Sequence, residues 1–326
     1  MLNVLTGFAV VVLIIALGYL LGKRRLLGPH AVYPLNMFVF WIALPATLVE
    51  FLSRTDVAAL FGPNLAVVAL STLFAAAIGY CGSRWIARRA TNEALVAMLA
   101  CSYCNGSNLG IPLAAHLLKD PTLTLPVILF QVAFFGPLSV VLLDLTTPSD
   151  GRGPGRQPAK TASAGRILRD VLLGIIRNPL IISAAIGIAI GLIERQTTWH
   201  LPHVLAEPVH IIASATVGVA LIAFGMSMAE VRVLAAGESP RRSVWAAAFI
   251  KAVVHPLIAW TLGAVLFHAE GSLLLAMVVV AALPTGQNVF TYAQRFTVNT
   301  VLARDTAVVS TAMSIPAMTV FVLLLS

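Results

Sequence analysis

The stretch Asn105-Gly-Ser-Asn-Leu-Gly-Ile-Pro112 decides how this chain is read. It sits inside an apolar run long enough to cross a bilayer. A helix in hydrocarbon keeps its backbone paired, because each unpaired N–H or C=O there costs several kcal/mol. This stretch breaks the pairing. Gly106 and Gly110 admit backbone angles closed to other residues, and Pro112 lacks a donor and frees a carbonyl upstream. Such a break is tolerated where it is buried in protein or lines a watery cavity. A second break, Pro284-Thr-Gly-Gln-Asn288, stands in the other half of the chain. Interruptions at corresponding places in two halves are the sequence mark of a transport site.

The rest of the composition agrees with a membrane setting. Of 326 residues, 59% are hydrophobic and 10% charged, against about 25% charged in soluble domains. The expected class is an all-α polytopic membrane protein, since no ten-residue alternating pattern of a barrel appears. Ten apolar runs lie near 4–22, 32–52, 64–87, 94–118, 122–145, 174–193, 208–230, 244–267, 272–294 and 305–325. The first has no basic segment before it and no small-residue cleavage site after it, so it reads as a retained span.

Lys and Arg are distributed by side. Seventeen of the 21 fall in the linkers after spans 1, 3, 5, 7 and 9 or at the span ends that border them. Cytoplasmic loops carry the basic excess, which places both termini outside the cytoplasm. The net charge of +8 is then a topology signal and implies no nucleic-acid partner. Cys81, Cys101 and Cys104 form no disulfide framework; Cys101 and Cys104, one turn apart, read as buried thiols without metal or cofactor. No phosphate-binding loop, His-Glu-x-x-His run or paired-carboxylate motif is present, so the chain reads as neither an ATP-driven pump nor an enzyme.

The halves repeat. Shifting the first by 179 residues lays spans 2–5 on spans 7–10, puts Asn105–Asn108 on Pro284–Gln287, and pairs Lys251 with Thr72. Span 1 matches span 6 at a shift of 169, aligning Gly18-xxx-Gly22 with Gly187-xxx-Gly191. Five spans per unit is odd, so the second unit is inverted relative to the first. The units are 1–145 and 174–326, joined by a cytoplasmic linker at 146–173 rich in Gly, Pro and basic residues. The paired glycines predict close helix packing, against neighbours or a second subunit.

The candidate substrate-binding residues follow from the breaks: Asn105, Ser107, Asn108 and Pro112 in the first, and Pro284, Thr285, Gln287 and Asn288 in the second. Asn and Gln amides offer donors and acceptors, and half-helix N-termini suit an anion. The competing reading is a kink satisfied internally. Lys251 is the one basic residue well inside a span, with His255 on the same helical face. Lys251 is either a charge partner for an anionic substrate, a brace for the crossover, or the partner of an acid such as Asp305 or Asp144. His255 suits proton coupling or a buried hydrogen bond. Tyr292 either closes a pocket or lies at an interface, and Gln131 is a further polar candidate in span 5. Glu50 and Asp144 lie near span ends, facing water or headgroups.

Several segments together resemble the auxin efflux carrier family, which includes plant carriers and bacterial malonate carriers. They are Phe38-Val-Phe-Trp-Ile-Ala-Leu-Pro-Ala46, Asn105–Leu113, Asn178-Pro179, Ala220-Leu-Ile-Ala-Phe-Gly-Met-Ser-Met228, Lys251 with Pro256, and Pro284 with Gln287-Asn288. The long hydrophilic loop of the plant carriers is absent, so the chain resembles the short bacterial type of an inner membrane. The resemblance implies ten helices in two inverted repeats with broken helices 4 and 9 crossing. It implies a scaffold of spans 1, 2, 6 and 7, a mobile transport domain made of the rest, and an elevator-type alternating access. It also implies a small organic anion as substrate (malonate or an auxin-like acid), a lipid bilayer around it and a homodimer. A sodium-coupled carrier of the bile-acid-symporter type shares the crossed plan but usually brings a clustered carboxylate, which these breaks lack. A non-transporting membrane sensor on the same scaffold is the alternative of another class.

Overall fold

A computed structural model describes residues 2–28, 30–54, 62–147, 179–229 and 233–325, with side chains from residue 10 onward except that of Leu117. All but the first two residues of the expected linker 146–173 lie outside them, as does Arg232. The described chain is helical: α1 Leu2–Arg24, α2 Val32–Leu52, α3 Pro63–Ile86, α4 Thr91–Ser102, α5 over 106–118, α6 Pro121–Thr146, α7 Pro179–Gln196, α8 His203–Ala229, α9 Arg241–Leu266, α10 Gly271–Ala281, α11 Gln287–Phe296 and α12 Thr300–Leu325. Seven of these, α2, α3, α6, α7, α8, α9 and α12, are long and apolar enough to cross a membrane by length and composition. The protein is thus an all-α polytopic membrane protein. The expected spans 4 and 9 are each split, into α4 and α5 and into α10 and α11.

Proline sets the shape of three of the long helices. Leu44, Gly136 and His255 each donate to the carbonyl five residues back, at Val39, Gln131 and Ile250. Each is followed by a proline: Pro45, Pro137 and Pro256. A proline cannot donate and its ring crowds the turn before it. One widened turn absorbs that clash, and such widened turns recur at functional positions. Gln131 and Lys251 both lie in these turns.

The chain divides into two compact units. Unit 1 is made of Met1–Gly62, Gly106–Ile128 and Ile175–Val231, and unit 2 of Pro63–Asn105, Leu129–Gly174 and Arg232–Ser326.

In unit 1, glycines let helices meet backbone to backbone. A Cβ on Gly22 would lie 2.8 Å from the Met226 carbonyl oxygen, while one on Gly18 would run into that of Ile222. From the other side, a Cβ on Gly225 of α8 would overlap the Ile15 carbonyl of α1. Gly187 of α7 packs in the same way on Leu48 and Val49 of α2, and Gly191 on Ser53. The Gly-xxx-Gly pairs therefore serve close helix packing within unit 1. Two polar contacts join α2 to α8: Thr47 Oγ1 to Thr216 Oγ1 at 2.8 Å, and His210 Nδ1 to Glu50 Oε1 at 2.9 Å.

In unit 2, the core is built from α4, α6, α9, α11 and α12. Leu95, Leu99, Tyr103, Phe135, Leu143, Val289 and Phe296 form its buried centre. Gly79 of α3 seats Cys101 of α4, whose Sγ would lie 2.7 Å from a Cβ there.

Candidate functional site

The site in unit 2 is built where α4 and α10 stop. α4 ends at Ser102, and Tyr103 turns extended with φ −73° and ψ 115°. α10 ends at Ala281, and Gly286 is extended with φ −70° and ψ 145° before α11 begins. The two extended stretches run antiparallel. Asn105 N–H donates to the Pro284 carbonyl at 2.8 Å, and Gly286 N–H donates to the Tyr103 carbonyl at 2.9 Å. Cys104 thus faces Thr285. The antiparallel register that sets Cys104 against Thr285 also sets Asn105 opposite Pro284, the two residues that the sequence shift of 179 aligns.

Side chains hold further backbone groups at the crossing. Cys104 N–H donates to Gln131 Oε1 at 2.5 Å, and Gln131 Nε2 donates back to the Cys104 carbonyl at 3.1 Å. Thr285 N–H donates to Ser310 Oγ at 3.0 Å. The Thr285 hydroxyl donates to the Ala100 carbonyl near the end of α4, at 2.6 Å. Lys251 Nζ donates to the Ala281 carbonyl at the end of α10, at 2.7 Å. Two carbonyls orphaned by helix ends are satisfied in this way. A cation at a helix C-terminus is further favoured by the helix dipole.

Lys251 is fully buried, at 0% exposure. Besides Ala281 it meets His255 Nδ1 at 3.1 Å. An ammonium has three protons and only donates. Two of its protons therefore go to Ala281 O and His255 Nδ1. Among the described residues no carboxylate bonds it. Asp305, weighed as a partner from the sequence, instead accepts from Leu234 N–H at 3.0 Å and from Arg304 Nε at 2.9 Å. A charged Lys251 makes Nδ1 of His255 an acceptor and puts that ring's proton on Nε2.

The sequence candidates separate as follows. Asn105, Pro284, Thr285, Lys251 and His255 are buried in unit 2, with Gln287 half-buried and Asn288 exposed at the start of α11. Asn288 Nδ2 donates to the Tyr103 hydroxyl at 3.3 Å. The Tyr103 ring stacks on Phe135 and meets Tyr292 edge-on, with ring centroids 6.0 Å apart in each case. Tyr292 therefore belongs to this aromatic group. Ser107, Asn108 and Pro112 fall in α5, within unit 1, with Pro112 buried and the other two half-buried. Asn105 is only 5% exposed, yet its Nδ2 has no hydrogen-bond partner. Sequence reading gave little weight to Gln131 and none to Ser310 or Tyr103. The signal for the first two was present, because the 179-residue shift carries position 131 onto 310.

Residues 3–322 match the family described as membrane transport protein, that of the auxin efflux carriers. The chain belongs to this family. Among similar members of the auxin efflux carrier family, auxin efflux carrier component 4 of Arabidopsis thaliana is 28% identical over 178 residues, 54% of this chain and 28% of that protein. Probable auxin efflux carrier component 1b of Oryza sativa subsp. japonica is 26% identical over 183 residues, 56% of this chain and 32% of that protein. Arabidopsis auxin efflux carrier component 1 is 28% identical over 169 residues, 52% of this chain and 26% of that protein. The matched stretch spans about a third or less of these curated relatives. Membership of this family makes the chain a membrane transport protein, and the crossing in unit 2 is the natural place to look for its solute site.

Proposed function

We propose that this protein is a secondary carrier of a small organic anion, a carboxylate such as malonate or an auxin-like acid. The observation that carries the reading is the Asn105 side chain. A buried amide nitrogen without a partner costs about 1–3 kcal/mol, a cost that a bound carboxylate oxygen would remove. It sits beside an extended crossing and in the same unit as the N-terminus of α11, whose dipole favours negative charge. Asn288, exposed at that N-terminus, supplies a second amide. Thr285 and Pro284 shape the backbone of the crossing. Ser107, Asn108 and Pro112 lie in unit 1, outside the unit 2 group on which this reading rests. Lys251 contributes a positive field and holds the end of α10 through the Ala281 carbonyl. The names of the relatives support an organic acid as substrate.

The proposed mechanism is alternating access of the elevator kind, with unit 2 carrying the solute. The division into two units supports it in part: unit 1 gathers α1, α2, α7 and α8 but also α5 and the start of α6, and unit 2 gathers α3, α4, α9, α10, α11 and α12 with the rest of α6. Ten spans, both termini outside a bacterial inner membrane, and a homodimer complete the proposal. The test is uptake of radiolabelled malonate and indole-3-acetate into proteoliposomes, with and without sodium. Sodium-independent uptake that falls in Asn105→Ala supports the reading. Uptake equal in wild type and Asn105→Ala overturns the assigned site, and strict sodium dependence favours the bile-acid-symporter type. Absence of uptake with either acid, alongside specific stabilisation by one of them, points to a sensor.

A further inference from the structure

We propose that Lys251 and His255 form a proton-exchange pair, with His255 as the wire through which Lys251 gains and loses its proton. The geometry supplies two arrangements that keep every hydrogen bond. In the first, the Lys251 ammonium donates to Ala281 O and His255 Nδ1, and the imidazole holds its proton on Nε2. In the second, one Lys251 proton moves along the 3.1 Å contact to Nδ1 while Nε2 releases its own to a water molecule acting as base. Lys251 is then a neutral amine. It keeps its bond to Ala281 O, and its lone pair accepts from Nδ1–H. The imidazole is neutral in both arrangements and changes only its tautomer. One proton leaves, one positive charge leaves with it, and no bond to the crossing is lost.

The surroundings favour such an exchange. An ammonium buried without a carboxylate partner is costly inside a membrane unit, and here its partners are all neutral acceptors. The elements packed against α9 bring few titratable groups. α4 and the crossing contribute the Cys101 and Cys104 thiols, and Glu93 in the first turn of α4 pairs with Arg89 at 4.0 Å. α10 contributes only the Ala281 carbonyl. α12 contributes Arg304 and Asp305, which bond each other, Asp305 also taking Leu234 N–H. α3 carries its titratable side chains, Tyr80, Cys81 and Arg84, only in its last two turns. His255 is thus the single titratable neighbour that bonds Nζ and has a second site from which to pass a proton on. In an anion carrier, charging this pair would offset the charge of the incoming solute and couple its movement to the proton gradient. That last step rests on the carrier reading, whereas the exchange itself does not.

The test reads the two separately. Full-length protein labelled with 15N-histidine, held in nanodiscs, is titrated by NMR without any solute. His255 is expected to pass from the Nε2–H to the Nδ1–H tautomer as pH rises, with no imidazolium stage. In Lys251→Met that pH-dependent change is expected to disappear. A wild-type His255 that keeps one tautomer across the titration, or that passes through imidazolium, overturns the pair whether or not malonate is a substrate. In proteoliposomes, a pH step of one unit with equal malonate on both sides should drive about tenfold accumulation for one coupled proton, the factor set by the gradient itself. In His255→Asn the plateau, which does not depend on rate, should return to unity. Unchanged accumulation in His255→Asn overturns the wire. Exchange of malonate without any pH-driven accumulation in wild type overturns the coupling.

Discussion

Gln131 and Ser310 hold the two peptides that meet at the crossing: Gln131 bonds both groups of Cys104, and Ser310 accepts the N–H of Thr285. They stand 179 residues apart, the spacing by which the fifth span repeats as the tenth. The two repeats solve the same problem with unequal means. The first break is fixed at a donor and an acceptor, the second at a donor alone. Replacing Gln131 with Leu leaves two buried backbone groups unpaired, at about 1–3 kcal/mol each. Ser310→Ala leaves one. Thermal unfolding in detergent should therefore show the larger loss for Gln131→Leu, and a larger loss for Ser310→Ala would refute this assignment of roles.

The glycine contacts of unit 1 invert a common rule. Gly→Ala inside a helix usually gains about 1 kcal/mol. At Gly225 the new methyl would meet the Ile15 carbonyl, and at Gly191 that of Ser53. Forced overpacking costs about 1–3 kcal/mol. Gly225→Ala and Gly191→Ala should lower the melting temperature, while Gly218→Ala, with open space around it, should leave it unchanged or raise it. Differential scanning fluorimetry of the three variants decides the point.

Asn105 should separate stability from function. Its Nδ2 has no partner to lose, so Asn105→Ala should melt within a few degrees of wild type. Substrate affinity should fall by about tenfold or more, the worth of a hydrogen bond to a charged group at about 1.5–3 kcal/mol. Isothermal binding measurements beside melting curves would show it. A parallel collapse of both would make Asn105 a structural residue.

Lys251→Arg should not substitute for Lys251. The guanidinium is planar and longer, and cannot direct single protons to Ala281 O and His255 Nδ1 from one point. Lys251→Met should melt closer to wild type than Lys251→Arg, because an apolar chain of similar length avoids burying a misplaced charge. Melting temperatures of the two variants, each confirmed in the membrane fraction, measure the difference.

Topology gives a further expectation. In a Cys81→Ser background, leaving the buried Cys101 and Cys104, single cysteines at Arg89 and at Trp199 should label from opposite sides of the membrane. An impermeant maleimide applied to intact cells should reach position 199 and not position 89. Equal labelling would overturn the orientation inferred from the basic loops.

Much of this was legible in the sequence for reasons that can be stated. The breaks announce themselves because hydrocarbon penalises unpaired backbone, so Gly, Pro and Asn there are conspicuous. Lys251 stands out for the same reason, and its turn-to-turn spacing gave His255. The partners of Lys251 were not legible, because a carbonyl at the end of α10 carries no sequence signature, and an acid such as Asp305 looks like the obvious counter-ion. Tyr103 was missed because it precedes the polar run and reads as an ordinary aromatic at the end of a span.

The clasp between Tyr103–Asn105 and Pro284–Gly286 has a consequence for biogenesis. The first break leaves the ribosome some 180 residues before its partner strand, and Ser310 follows later still. Until then the Tyr103 carbonyl and the Asn105 N–H have no partner from the second repeat. The first half of unit 2 must therefore wait, inserted but unfinished, for the last spans to arrive. A chain truncated before Thr285 would expose that open seam to quality control at the translocon, however well its earlier helices had inserted.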